Sequence, residues 1–226
     1  MRGGLMRGGL MRGGPTTLAG LATAGLLSLA ALMPAAHAAG MSANDTAAAD
    51  DPQSLRPVTA FNGIGSEAER SAALFGEAAK VLRHPRCMNC HPAGDRPAQG
   101  DDRHPHRPLV VRGDGGMGVV GMRCTTCHHD ENYEPAGVPG DPHWSLAPPE
   151  MAWEGLSVGQ ICAQLKDPAR NGDRDLAAII EHVSTDSLVL WGWAPGGTRT
   201  PAPGSNAAFT QLMQAWVDTG AHCPAG

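Results

Sequence analysis

The chain has 226 residues, ten histidines, six cysteines and a net charge of −5 at pH 7. So acidic a chain lacks the basic surface that nucleic-acid binding needs, and charge of this sign suits solubility or docking to a basic partner surface. Three Phe and one Tyr among 30 Gly and 19 Pro are thin material for the core of one domain, so a bound apolar group is expected to complete it.

Residues 1–38 read as a signal peptide. Arg2, Arg7 and Arg12 precede an apolar run from Leu18 to Leu32, and Ala36-His37-Ala38 has the form of a cleavage site. Cleavage removes three arginines and no acid, taking the charge from −5 to −8. The expected destination is the periplasm. The apolar run is short for a membrane span, and contact with a membrane is expected only if this segment is retained. Residues 39–60, rich in Ala, Asp and Ser, show no periodicity and read as a flexible lead.

A helix is predicted from Ser66, where Ser66 and Glu69 have capping-box spacing and Ala72, Phe75, Ala79 and Leu82 share one face. It leads into Cys87-Met88-Asn89-Cys90-His91. Residues 92–123 and 129–150 read as loop, rich in Pro, Gly and Asp. Between them stands Cys124-Thr125-Thr126-Cys127-His128. Further helices are predicted after Ser157, ending at Asp167-Pro168, from Asp173 with Leu176, Ile179, Ile180 and Val183 as its stripe, and after Ser205 with Phe209, Leu212, Met213 and Trp216 on one side. No convincing alternating strand is visible.

Both cysteine segments are C-x-x-C-H, the pattern for covalent attachment of c-type haem: two thiols add to the porphyrin vinyl groups and the histidine ligates iron. Cys87, Cys90, Cys124 and Cys127 are the attachment residues on this reading, and His91 and His128 the proximal ligands. A four-cysteine zinc site is the bland alternative, but the pairs are far apart for a zinc ribbon and each is followed at once by His. A thioredoxin-like motif would want a strand before C-x-x-C and a helix opening with it; neither segment has that setting. The remaining cysteines, Cys162 and Cys223, are expected to pair in an oxidising compartment.

Only residues 92–123 separate the two motifs, too few for a complete single-haem lobe, so both haems are expected to share one domain. Histidine and methionine are the usual distal ligands. His106 on a stiffened loop, His182 beside a helical apolar stripe, and Met151 in an apolar Pro-rich segment are the candidates.

The runs around Cys87–Asp95, Gly121–His128, Leu146–Gly155, Leu165–Gly172 and Leu188–Trp193 resemble a bacterial family of small dihaem cytochromes c, often labelled isoquinoline 1-oxidoreductase subunit. The resemblance spans nearly all of the chain after about residue 60. It implies a link with periplasmic molybdenum hydroxylases, whose electrons leave through iron–sulfur clusters to a cytochrome. The chain has no molybdopterin-sized domain and no further cysteines for such clusters, so the hydroxylase itself is excluded. The label leaves the distal ligands open.

The resulting expectation is a mainly α, loop-rich, cytochrome c-like dihaem domain over residues 61–226, carrying two covalent haem c. It would pass single electrons from a redox partner, a dehydrogenase or molybdenum hydroxylase, to a respiratory acceptor. A dihaem peroxidase is the enzymatic alternative and would need one open iron face; a secreted structural zinc protein is the third reading.

Overall fold

Ser66 opens the first helix, α1 (Glu67–Leu82), by accepting a hydrogen bond from the Glu69 amide at 3.4 Å. This computed structural model describes residues 51–226. The expected signal peptide and residues 39–50 of the expected lead lie outside the described residues. One face of α1 buries Leu74, Phe75, Ala78 and Leu82 against α6 (Asn206–Asp218), whose Phe209, Leu212, Met213 and Trp216 are the buried stripe read from the sequence. The Phe75 and Trp216 rings meet at 4.9 Å, and burying such rings supplies much of the stabilisation of a small helical core.

Between these helices the chain is mainly helical and loop-rich. α2 (Pro85–Met88) follows α1 after a His84 cap and carries Cys87. Two antiparallel ladders of two residues each, β1–β2 (Ala98–Gln99, His104–Pro105) and β3–β4 (Gly118–Val119, Met122–Arg123), lie inside the segment expected to be loop. Two residues are too short to show alternation, so the pattern gave no sign of them.

α3 (Val158–Leu165) has the full reciprocal capping box: Ser157 Oγ accepts from the Gln160 amide, and Gln160 Oε1 accepts from the Ser157 amide. α4 (Leu176–Thr185) starts later than expected. Asp175, rather than Asp173, caps it by accepting from the Ala178 amide at 2.8 Å, while Asp173 turns the chain at φ +59°. Asp186 then caps α5 (Ser187–Trp191), a short helix with too few residues to show a period.

Residues 51–60 correct the expected flexible lead. Val58–Phe61 forms a 3-10 turn with Phe61 buried, Leu55 and Val58 pack against the core, and the Arg56 amide donates to Glu77 Oε1 at 3.0 Å. Isolated apolar residues in a polar stretch show no period, and only the receiving surface reveals that they dock.

The Cys162–Cys223 disulfide forms as expected, with Cα atoms 5.6 Å apart, and fastens the C-terminal segment to α3. Beside it Lys166 Nζ donates to the Ala221 carbonyl and Trp216 Nε1 to the His222 carbonyl. The buried core draws on residues 61–88 and 153–221; none of its members comes from residues 89–152. The first cysteine motif thus stands at the edge of the core and the second in a layer built of loops. Among the described residues, no helix is long and apolar enough to cross a membrane.

Candidate functional site

α1 and α2 deliver Cys87 to the core edge, and the chain then docks on residues 147–154. The Ala147 amide donates to the Cys90 carbonyl, and the Trp153 amide to the His91 carbonyl at 3.0 Å. His91 is fixed in two ways. Its Nδ1 donates to the Met151 carbonyl at 2.7 Å, and its ring stacks on Trp153 with centroids 3.6 Å apart and planes 5° apart.

The second motif repeats this arrangement with different chain connections. His128 Nδ1 donates to the Pro139 carbonyl at 2.7 Å, and the ring stacks on Trp144 at 4.6 Å and 9°. Trp191 closes edge-on against Trp144 at 4.9 Å, its Nε1 donating to Asn132 Oδ1. A carbonyl on Nδ1 sets the tautomer, so in both residues Nε2 is left with its lone pair free for a metal.

Burial pulls His91 down to about 4; the Met151 carbonyl opposes this, and charge on His182 and Arg112 adds to it. Burial also lowers His128, against the Pro139 carbonyl and with charge on His106, Arg199 and His129. Both rings are held neutral, the form that ligates. Burial pushes the Cys87 thiol up to about 12, with charge on Cys90 adding, and Cys90 up to about 11. These are protonated thiols, unlike the low-pKa thiolates of exchange motifs. Among the described residues, no three His, Cys, Asp or Glu side chains come together as a set of metal ligands.

A cavity of about 440 Å³ lies between the motifs, lined by Cys90, Cys124, Cys127, His106 and His128 among others. Both C-x-x-C-H segments therefore border one space. The Gly-rich segment forms part of this region because Gly116, at φ +75°, lets the chain pass against residue 146; a Cβ there would collide with the Leu146 carbonyl.

The three candidate distal residues fall in different places. His106 sits just beyond the β1–β2 ladder, where its amide donates to the Pro97 carbonyl and Arg96 donates to its carbonyl at 2.6 Å. Its ring centroid lies 5.9 Å from that of His128, with the planes at 58°. Its Nδ1 donates to the Pro108 carbonyl at 3.0 Å, which leaves Nε2 free. His182, half-buried on α4, lies close enough to His91 for its charge to lower His91, and its Nδ1 is 3.5 Å from Asp186 Oδ2. Met151 places its carbonyl on His91 Nδ1 and its sulfur near Gly172.

Sequence reasoning did not single out Trp144, Trp153 or Trp191, nor Arg86 and Arg112. Tryptophans inside Pro-rich loops, in a chain with so few other aromatic residues, were the signal available. Arg112 is buried and donates to the Gly94 carbonyl at 2.9 Å and to the Ala147 carbonyl, with Asp95 Oδ1 3.4 Å from its Nε. It ties the loop after His91 to the segment on which Cys90 docks.

The residues at the second motif fit a c-type haem: paired thiols, a neutral histidine with a fixed tautomer, an aromatic wall, and a cavity with a second imidazole on its lining; the first motif supplies the same thiols and a histidine fixed in the same way. Compared with known protein families, with curated proteins and with solved structures, the chain has no match.

Proposed function

We propose that the chain is a periplasmic dihaem c-type cytochrome that carries single electrons from a partner dehydrogenase or molybdenum hydroxylase to a respiratory acceptor. The observation that carries this reading is the pair His106 and His128, whose ring centroids are 5.9 Å apart on the lining of one cavity that Cys124 and Cys127 also border.

Bound haem iron supplies one-electron oxidation and reduction. The chain's own residues hold and tune it. Cys87 and Cys90 would anchor the first group and Cys124 and Cys127 the second; His91 and His128 would ligate the iron, oriented by the Met151 and Pro139 carbonyls and by Trp153 and Trp144. His182 and His106 would be the second imidazole ligands, and Met151 would serve the first site through its carbonyl. Bis-histidine ligation gives lower potentials than histidine–methionine. The absence of core residues between 89 and 152 supports the second group as the apolar filling of that layer.

A dihaem peroxidase would need an open iron face, and the presence of His182 near His91 and of His106 near His128 weighs against one. The chain, expressed with its leader in a host that matures c-type haem, is expected to show two haems per chain by pyridine haemochrome, and one after Cys124→Ala/Cys127→Ala. Zinc bound in place of haem would overturn the reading. Five-coordinate high-spin haem in the parent chain would favour the peroxidase.

A further inference from the structure

Arg86 immediately precedes the first attachment cysteine, yet its side chain lines the cavity of the second motif. The side chain is 3% exposed. One guanidinium nitrogen, Nη2, donates to Asp101 Oδ1, and the group lies 5.9 Å from the Trp191 ring centre. Its Nε is buried with no hydrogen-bond partner. A buried guanidinium donor left unpaired is costly. Asp101 does not fill that role, since its second oxygen accepts from Thr200 Oγ1 at 2.7 Å and from the Thr200 amide.

The other arginines around the cavity are placed differently. Arg199 donates to the Pro195 and Gly137 carbonyls and is 3.8 Å from Glu134. Arg107 and Arg123 are exposed. Arg86 is thus a buried cation with a donor to spare at the wall of the cavity. Arginine's Nε–H and Nη–H form a fork matched to a carboxylate.

We propose that Arg86 binds a propionate carboxylate of the group held by the second motif, so that the helix carrying the first haem also anchors the second. This rests on the dihaem reading above. It makes Arg86 a potential-setting residue for one haem. A fixed cation beside an iron centre favours the form with one more electron, and so raises its potential.

The test uses the full chain matured with haem, and haem is counted first. Fewer than two haems in the parent chain would defeat the dihaem reading and the proposal with it. With two present, redox titration of Arg86→Gln is expected to lower one midpoint potential by a shift of about tenfold in the one-electron equilibrium, about 59 mV. The other is expected to move by less than half as much. The affected haem should be the one whose low-spin spectrum is lost in His106→Ala. Arg86→Lys, which keeps the charge without the fork, should recover part of the shift. Asp101→Asn removes the negative charge paired with Arg86 while keeping a side-chain oxygen for its hydrogen bonds, so it should raise the same potential even if Arg86→Gln fails to mature. Unmoved potentials in these variants, or equal movement of both haems, would overturn the proposal while leaving the dihaem reading intact.

Discussion

The His91 and Trp153 rings lie face to face, 3.6 Å between centroids and 5° between planes, while the Trp153 amide also donates to the His91 carbonyl. One residue thus holds both the ring and the backbone of His91. Trp153 is 6% exposed and its Nε1 has no partner, so its contribution is packing rather than a side-chain hydrogen bond. Trp153→Ala is expected to destabilise the haem-loaded chain by about 3–5 kcal/mol. Trp153→Phe keeps a ring on His91 and should cost about 1–2 kcal/mol. Denaturant unfolding of the two variants checks the ordering; equal losses would mean that the stack contributes little.

His106 and His182 should each control one spin state. His106→Ala and His182→Ala are each expected to turn half of the haem absorbance from six-coordinate low-spin to high-spin, and the double variant all of it. Met151→Leu should leave the spectrum unchanged, because the carbonyl on His91 Nδ1 belongs to the backbone. A Met151→Leu chain with a high-spin haem would return the sulfur to the distal side.

Asp101 gives a pH dependence of defined sign. Its burial raises the carboxyl pKa, but the two hydrogen bonds from Thr200 and the charge of Arg86 outweigh this and hold it below the ordinary value. A carboxylate depressed in the folded state stabilises above its unfolded pKa, and that contribution is lost as pH falls through the folded one. The stability difference between the parent and Asp101→Asn should be constant from pH 7 down to roughly 5 and fade below about 4. Unfolding midpoints across that range read it directly. A difference that grew on acidification would contradict the assigned direction.

The Cys162–Cys223 bond closes a separation of 61 residues and fixes the C-terminal segment beside Trp216 and Ala221. In the chain-entropy treatment such a loop is worth about 4 kcal/mol. Cys162→Ala/Cys223→Ala should lower the melting temperature by a corresponding amount while leaving the haem count at two, since neither cysteine belongs to a C-x-x-C-H segment. Loss of haem in that variant would place the disulfide upstream of cofactor attachment.

Local chemistry was legible in the sequence. The capping residues Ser66, Ser157 and Ser205 accept the hydrogen bonds expected of them, and the stripe Phe209, Leu212, Met213 and Trp216 is buried on one side of α6. The two C-x-x-C-H segments and the Cys162–Cys223 pairing were readable for the same reason: each is a matter of residue type and near spacing, or of the only thiols left over. Helix starts slipped where two acids competed, as with Asp173 and Asp175, because the choice depends on a backbone turn that composition does not encode.

What surrounds His91 and His128 was decided by tertiary structure alone. Met151 and Trp153 reach His91 from some sixty residues away, while Pro139 and Trp144 reach His128 from within the following loop. The carbonyl that fixes a tautomer belongs to any residue type, so no side-chain pattern announces it. The same holds for the pairing of His106 with His128 and for Arg86, which adjoins the first motif in sequence and lines the cavity of the second. Periodicity and spacing report contacts within an element; which loop crosses which ring is set only when the helices have packed and closed the space between them.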